Sequence, residues 1–275
     1  MSERRPRVLV FDSGVGGFSV AECIHHQLPG AEMIYLADNA LFPYGDQPAE
    51  VVIERCCRLI DRVLTSLPCD VVVVACNTAS TVVLPRLRQT VAAPVVGVVP
   101  AIKPAVAVTH NHRIGLLATP ATVRRPYLDD LVRQFAPHCE VVRVGHPALV
   151  RWAEELVAGT SPDQVDVNHL LEPLREAGVD TVVLGCTHYP LLLPWLREGL
   201  PERTIWLDSG EAIARRVAYL LDQQGRGVAA RSPMTALRPV VNEALFTGTA
   251  PTGLADFLEA CSIPVGVICG EWGTV

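Results

Sequence analysis

Two cysteines, Cys76 and Cys186, carry the strongest chemical signal in the chain, because each follows a short apolar run rich in β-branched residues. The first stretch reads Asp70-Val71-Val72-Val73-Val74-Ala75-Cys76-Asn77-Thr78. The second reads Thr181-Val182-Val183-Leu184-Gly185-Cys186-Thr187-His188-Tyr189-Pro190, with Asp180 just before it. Such runs, bounded by loop signals, predict buried strands of an open α/β sheet. Ligands in these folds bind outside the carboxyl ends of the strands, where both cysteines fall. One thiol behind a strand is ordinarily a small buried hydrophobe. A matched pair with polar neighbours calls for chemistry.

Two reactions fit these residue types. Cys-His nucleophilic catalysis would use Cys186 against a carbonyl, with His188 as base, and leaves Cys76 without a role. Opposed acid–base catalysis uses both cysteines. One thiolate removes a proton from carbon and a thiol on the opposite face returns one, inverting the centre. A carbon acid next to a carboxylate needs fixed hydrogen-bond donors around that carboxylate, and Asn77, Thr78 and Thr187 are suitable. Helix N-termini expected behind both cysteines would favour a thiolate or an anionic ligand. Asp12 reads either as a reacting partner or as an Asx-turn that holds a glycine loop. His188 reads as a titrating ring, with a bond to a backbone carbonyl as its structural alternative.

The elements that must position these groups alternate strand and helix. Strands are predicted at Arg7–Phe11, Met33–Leu36, Val71–Val74, Pro94–Val99, Ile114–Leu117, Glu140–Val144, Thr181–Leu184, Ile205–Leu207, Val240–Phe246 and Pro264–Ile268. Helices are predicted over Ser19–Leu28, from a cap at Asp46 with Pro48 in the first turn, and over Thr78–Gln89. Others are expected over Val123–Phe135, Gln164–Ala177, and from the cap Asp208-Ser209-Gly210 to Gln223. Cys56 lies on the apolar stripe of Val52, Leu59, Ile60, Val63, Leu64 and Leu67, so it reads as core. Pro100 and Pro104 read as breaks, Gly225–Pro239 as a linker, and Gly270–Val275 carries no signal. The spacing from Asp12 to Thr119 nearly equals that from Cys76 to Cys186, which suggests a diverged internal duplication. The expectation is an α/β chain of two similar, open, mostly parallel-sheet domains related by pseudo-twofold symmetry. Residues 1–97 plus 208–275 would form the first and 98–207 the second, with the active site in the cleft between them.

Composition narrows the function classes. A chain of 275 residues with 49% hydrophobic and 19% charged content can bury a substantial core. The net charge of -6, with no dense Lys/Arg cluster, argues against a nucleic-acid surface. Arg4, Arg5 and Arg7 read as a solvated tail. No apolar run reaches the ~20 residues of a membrane span, and Val8–Phe11 is too short for a signal-peptide core, so a cytoplasmic protein is expected. The cysteine count of 9 includes no C-x-x-C pair, which supports neither a zinc knuckle nor a redox dithiol. The loop Asp12-Ser13-Gly14-Val15-Gly16-Gly17 does not complete G-x-G-x-x-G, because Ser19 takes the third glycine position, and no Lys-Ser/Thr follows. Its glycines read as serving a turn and close approach.

Taken together, the motifs resemble the glutamate racemases of the aspartate/glutamate racemase superfamily. They are Phe11-Asp12-Ser13-Gly14-Val15-Gly16-Gly17, Pro43-Tyr44-Gly45, Cys76-Asn77-Thr78-Ala79 and Gly185-Cys186-Thr187-His188-Tyr189-Pro190. Ile114-Gly115-Leu116-Leu117-Ala118-Thr119 and Asp208-Ser209-Gly210-Glu211-Ala212-Ile213-Ala214-Arg215-Arg216 are also family-like. They follow the family's order over nearly the whole chain. The resemblance implies cofactor-independent interconversion of L- and D-glutamate, without pyridoxal phosphate, metal or nucleotide, supplying D-glutamate for peptidoglycan. It implies that Cys76 acts on the Cα proton of D-glutamate and Cys186 on that of L-glutamate. Asp12 would assist Cys76, and His188 with Glu154 would assist Cys186. Substrate would be held by Asp12, Ser13, Tyr44, Gly45, Asn77, Thr78, Thr187 and His188. The family also admits a homodimer, with no stripe in this sequence that selects an interface.

The chain departs from the family at His146-Pro147, where Cys-Pro is common, at Arg151, where Pro is frequent, and in the apolar loop Asn39-Ala40-Leu41-Phe42. These bear on the pocket beside Glu154 and the entrance near Tyr44. Residue by residue, alternatives stay open. Glu154 reads as a solvated helix charge, and Tyr44 and Gly45 as turn residues. A racemase of aspartate or a hydantoin, a Cys-His amidase, and a non-enzymatic ligand-binding protein are the competing functions.

Overall fold

The computed structural model describes residues 4–232 and 239–273. Ten strands alternate with helices: β1 (Arg7–Asp12), β2 (Glu32–Ala37), β3 (Val71–Val74), β4 (Val95–Gly97), β5 (Arg113–Ala118), β6 (Glu140–Gly145), β7 (Thr181–Leu184), β8 (Ile205–Leu207), β9 (Val241–Phe246) and β10 (Val265–Cys269). Two compact units result. One runs to Val98 and resumes at Gly210; the other is Val99–Ser209.

The first unit holds a six-stranded sheet in the order β10-β9-β2-β1-β3-β4, and the second a four-stranded sheet in the order β6-β5-β7-β8. Every strand pair is parallel. Parallel neighbours need long crossovers, and the intervening helices supply them while covering the faces. This burial explains why Val71, Val72, Val73 and Val74 are all fully buried with no polar alternation. Each such valine contributes roughly 1.5–3 kcal/mol by leaving water.

The order β2-β1-β3-β4 recurs as β6-β5-β7-β8, and the register repeats with it. Phe11 pairs with Val74, and Leu117 with Leu184. The Ala75 N–H then donates to Phe11, and the Gly185 N–H to Leu117, at 2.8 and 2.7 Å. Cys76 and Cys186 therefore occupy equivalent places. The register also shifts the suggested repeat by one residue, making Ala118 the equivalent of Asp12 and Thr119 that of Ser13. The second unit has no acid at that strand end.

Several local expectations are corrected. The helix Ala49–Ser66 starts behind Pro48, with no side-chain cap, and Asp46 sits in the preceding 3-10 turn Tyr44–Asp46. Pro104 does not break the chain but lies in the first turn of a helix, Ile102–Val108, where its missing N–H costs nothing. The helix expected over Val123–Phe135 is two, Pro120–Val123 and Pro126–Phe135, because Arg125 before Pro126 is pushed to extended backbone. The span Gln164–Ala177 likewise splits at Leu171 into Gln164–Leu170 and Glu172–Glu176. Within the expected linker Gly225–Pro239, Gly227–Arg231 is helical, while 233–238 lie outside the described residues. At the end of Gly270–Val275, residues 274–275 lie outside them too.

The arginines near the N-terminus are not a loose tail. Arg4 binds Asp70 through both its terminal nitrogens, at 2.8 and 3.0 Å, and Arg7 binds Glu32 at 2.9 Å. Asp70 also accepts the Arg7 N–H at 2.7 Å and pairs with Arg226. Its counterpart Asp180 accepts from Thr109 Oγ1 and from the His110 and Asn111 N–H groups at 2.6–2.9 Å. The acids that precede both cysteine strands therefore tie down the entry of each strand, at the end opposite the thiol.

Candidate active site

Cys76 stands at the N-cap of the helix Asn77–Thr90, with extended backbone at φ −63° and ψ 118°. A thiolate there meets the positive end of the helix dipole. Ser13 Oγ lies 3.6 Å from Cys76 Sγ, and either group can donate. Asp12, fully buried, accepts the Ser13 N–H at 2.6 Å, the Gly14 N–H at 3.2 Å and the Ser13 hydroxyl at 3.3 Å. The Asx-turn reading of Asp12 is what these bonds describe. The residue reaches Cys76 through Ser13.

The glycine loop is packed close, as its composition suggests. A Cβ on Gly17 would come within 2.9 Å of both Asp12 Cβ and the Tyr35 hydroxyl. That hydroxyl donates to the Gly14 carbonyl at 2.6 Å, and Phe18 stacks on the Tyr35 ring at 3.8 Å. Asn77 and Thr78, in the first turn after Cys76, are buried, and Asn77 Oδ1 has no hydrogen-bond partner among the described residues.

Tyr44 and Gly45 form the 3-10 turn that precedes the helix Ala49–Ser66. The Tyr44 hydroxyl is committed to Asp38, donating to Oδ2 at 2.7 Å. Burial, then the neighbouring Cys56 and Asp38, push its pKa far up, so it stays neutral. Asp38 is the residue that sequence reading passed over. Fully buried just past β2, it takes Arg55 through two nitrogens at 2.8–3.1 Å and the Thr247 hydroxyl at 2.6 Å. Its only sequence signal was an acid directly after a strand, one place beyond the register of Asp12, which ends β1 and pairs with Ala37. Leu41 of the apolar loop packs on the first unit's core, and Asn39 bonds to Gly248 and Thr249, so this loop is fastened to the end of β9.

In the second unit the cysteine has a different partner. Cys186 Sγ is 3.8 Å from His188 Nδ1, and His188 Nε2 is 2.7 Å from Glu154 Oε1. Burial alone would lower the His188 pKa, but hydrogen bonds to Cys186 and Glu154 outweigh it and hold the value well above the ordinary one. The ring thus lies between a thiol and a carboxylate, both of which favour its charged form. The helix N-terminus expected behind Cys186 is only a 3-10 turn, Tyr189–Leu192, leading to the short helix Leu193–Glu198. Tyr189 lies at 0% exposure, its hydroxyl without a hydrogen-bond partner among the described residues, and Thr187 is buried beside the cysteine.

Glu154 is not a solvated helix charge. It projects inward from the helix Ala148–Val157 at 22% side-chain exposure, while its neighbour Glu155 turns outward to the exposed Arg151 at 3.5 Å. Arg151 therefore stays clear of the His188 pair. His146 is exposed and accepts the Ala148 N–H at the helix start, at 3.2 Å through Nδ1. Neither departure enters the contacts of Glu154.

All 9 cysteines are free thiols. Among the described residues, no group of three or more His, Cys, Asp or Glu side chains could hold a metal ion, and no helix is long and apolar enough to cross a membrane.

The sequence profile of the Asp/Glu/Hydantoin racemase family matches residues 18–217. The glutamate racemase of Aliivibrio fischeri is 51% identical over 215 residues, covering 78% of this chain and 81% of that protein. The fold superimposes on Escherichia coli glutamate racemase, solved with L-glutamate and the activator UDP-MurNAc-ala, with a TM-score of 0.87, 42% identity, and coverage of 97% of this chain and 98% of that one. Glutamate racemase RacE1 of Bacillus anthracis gives a TM-score of 0.82 at 28% identity, covering 98% and 99%. The chain belongs to the Asp/Glu/hydantoin racemase family, among its glutamate racemases.

Proposed function

We propose that this protein interconverts L- and D-glutamate by two-base catalysis, with Cys76 and Cys186 serving opposite faces of Cα. In the L-to-D direction the Cys186 thiolate takes the Cα proton, leaving a carbanion stabilised through the α-carboxylate. The Cys76 thiol then delivers its proton to the other face. Each turnover exchanges which sulfur carries the proton, so nothing else is consumed. The assignment of Cys186 to the L-enantiomer follows the family resemblance.

The observation that carries this reading is that two equivalent strand-end thiols each contact a partner backed by a carboxylate. Cys76 has Ser13 and Asp12; Cys186 has His188 and Glu154. A simple Cys-His nucleophile would leave the first of these sets unused. Substrate is held by the family's positions Asp12, Ser13, Tyr44, Gly45, Asn77, Thr78, Thr187 and His188. The unpartnered Asn77 Oδ1 is an acceptor suited to the substrate ammonium. With the Tyr44 hydroxyl engaged by Asp38, the turn at Tyr44 and Gly45 would contact substrate through backbone groups. The reaction needs no cofactor, and a cytoplasmic enzyme supplying D-glutamate for peptidoglycan, as a monomer or homodimer, fits this role. The residue ranges 1–97 plus 208–275 and 98–207 would each supply one cysteine.

The test is exchange at Cα in deuterated water, followed by proton NMR and chiral analysis. Wild type should label and racemise L- and D-glutamate, and Cys76→Ser and Cys186→Ser should each lose racemisation. Exchange with aspartate but not glutamate would overturn the substrate. Ammonia release with Cys76→Ser fully active would replace the racemase by a Cys186 amidase.

A further inference from the structure

A basic cavity outside the thiol sites lies on the first unit, between the helix Ala49–Ser66 and the chain following β9 and β10. Its volume is about 340 Å³, and it is lined by Arg55, Arg58, Arg62, Thr247, Trp272 and Gly273 together with Leu59. That volume falls at the lower end of small-molecule sites, which run from roughly 300 to 1,000 Å³. Arg55, Arg58 and Arg62 follow a helical spacing that puts all three on one face. Like charges so placed repel, so the cluster carries a standing cost unless something neutralises it.

The three guanidinium groups are not equivalent. Arg55 is neutralised by the buried Asp38 carboxylate. Arg62 donates to the Gly273 carbonyl at 2.9 Å and lies over the Trp272 ring, 5.3 Å from its centroid; neither partner is anionic. Arg58 is exposed and, among the described residues, forms no hydrogen bond or ion pair. Among the described residues, no Asp or Glu lines the cavity. Two positive charges with planar, forked donors therefore face one cavity without a counter-charge among the described residues, beside an apolar wall of Leu59 and Trp272.

We propose that this cavity binds an organic phosphate, a phosphomonoester dianion carried on an apolar group. The charge of such a group matches two guanidinium ions, and its oxygens accept their N–H pairs in the bidentate manner that Arg favours. Arg62, already fixed against Trp272, presents its donors in a set direction, while Arg58 closes on the phosphate from the helix surface. The carrier group fills the space against Leu59 and Trp272 that a bare phosphate would leave.

Isothermal titration calorimetry of the full chain at constant ionic strength tests this, with inorganic phosphate and phenyl phosphate as probes. Phenyl phosphate should bind more tightly than inorganic phosphate. Arg58→Gln should weaken phenyl phosphate by at least about tenfold, the scale of a charge-assisted hydrogen bond. Arg58→Lys, which keeps the charge but not the fork, should weaken it less. Arg58→Gln should melt no lower than wild type, since among the described residues the side chain has no partner to lose and its removal relieves repulsion between like charges. Equal affinity in wild type and Arg58→Gln, or phenyl phosphate binding no tighter than inorganic phosphate, would overturn the proposal.

Discussion

His188 joins Glu154 to Cys186 through its two ring nitrogens, with Nε2 at 2.7 Å from the carboxylate and Nδ1 at 3.8 Å from the sulfur. Hydrogen bonds to Cys186 and then to Glu154 raise the ring's pKa, and of the two partners Glu154 is the one that brings a carboxylate charge. Glu154→Gln preserves shape and removes that charge. We expect kcat/KM to fall by about tenfold or more, toward the loss seen when acid–base support is withdrawn. The fall must be the same for both enantiomers, because their equilibrium constant is one. The asymmetry should appear in the Cα-deuterium isotope effect, which should grow with L-glutamate and change little with D-glutamate. Equal growth with both would mean that Glu154 does not act through Cys186.

The single cysteine variants carry a second expectation. With Cys76→Ser, Cys186 remains able to remove a proton although none can be returned to the other face. A glutamate analogue with a β leaving group needs only the first step, since loss of the leaving anion completes the reaction. Cys76→Ser should therefore eliminate from the L-analogue alone, and Cys186→Ser from the D-analogue alone, while both lose racemisation by about 10²–10⁴-fold. Progress curves with the two separated enantiomers check this. Elimination by both variants from the same enantiomer would contradict the one-thiol-per-face assignment.

The same histidine makes folding stability depend on pH. Burial opposes its charge, yet the bonds to Cys186 and Glu154 raise its folded pKa well above the value of the unfolded chain. A raised histidine stabilises the fold fully below its unfolded pKa, about 6.5, and loses that contribution as pH rises through the folded value. The stability gap between wild type and His188→Asn in urea should be larger near about pH 5.5 than near about pH 8. A gap that stays constant or widens with pH would reverse the sign assigned here.

How much of this was legible in the sequence differs by element. The strands were plain because both faces are covered by helices, so Val71–Val74 reads as an unbroken apolar run. Cys76 and Cys186 were plain because each breaks such a run at its carboxyl end. Helix ends were less legible: Pro126 and Pro173 split helices whose apolar periodicity continues across the break. Asp70 and Asp180 marked the repeat, but their contacts with Arg7, Arg226 and Thr109 lie far away in sequence. Glu154 and Glu155 cannot be told apart by type, and only the rotation of one helix turns Glu154 toward His188 and Glu155 toward Arg151. Asp38 was invisible for the same reason. Its role consists of bonds to three separate segments.

That role makes Asp38 the residue through which the turn at Tyr44 depends on the rest of the first unit. Its carboxylate is fully buried and holds the Arg55 guanidinium, the Tyr44 hydroxyl and the Thr247 hydroxyl at once. Asp38→Asn keeps the volume but replaces one accepting oxygen with a donor and removes the charge facing Arg55. Arg55 is partly exposed and can regain water, so the loss should stay below the 3–5 kcal/mol of a fully buried broken pair, at about 2 kcal/mol. Urea unfolding measures that loss. Because the Tyr44–Asp46 turn loses its anchor while both thiols keep their own partners, KM for glutamate should rise more than kcat falls. A variant that lost kcat at unchanged KM would show that Asp38 supports the chemistry of Cys76 rather than the substrate loop.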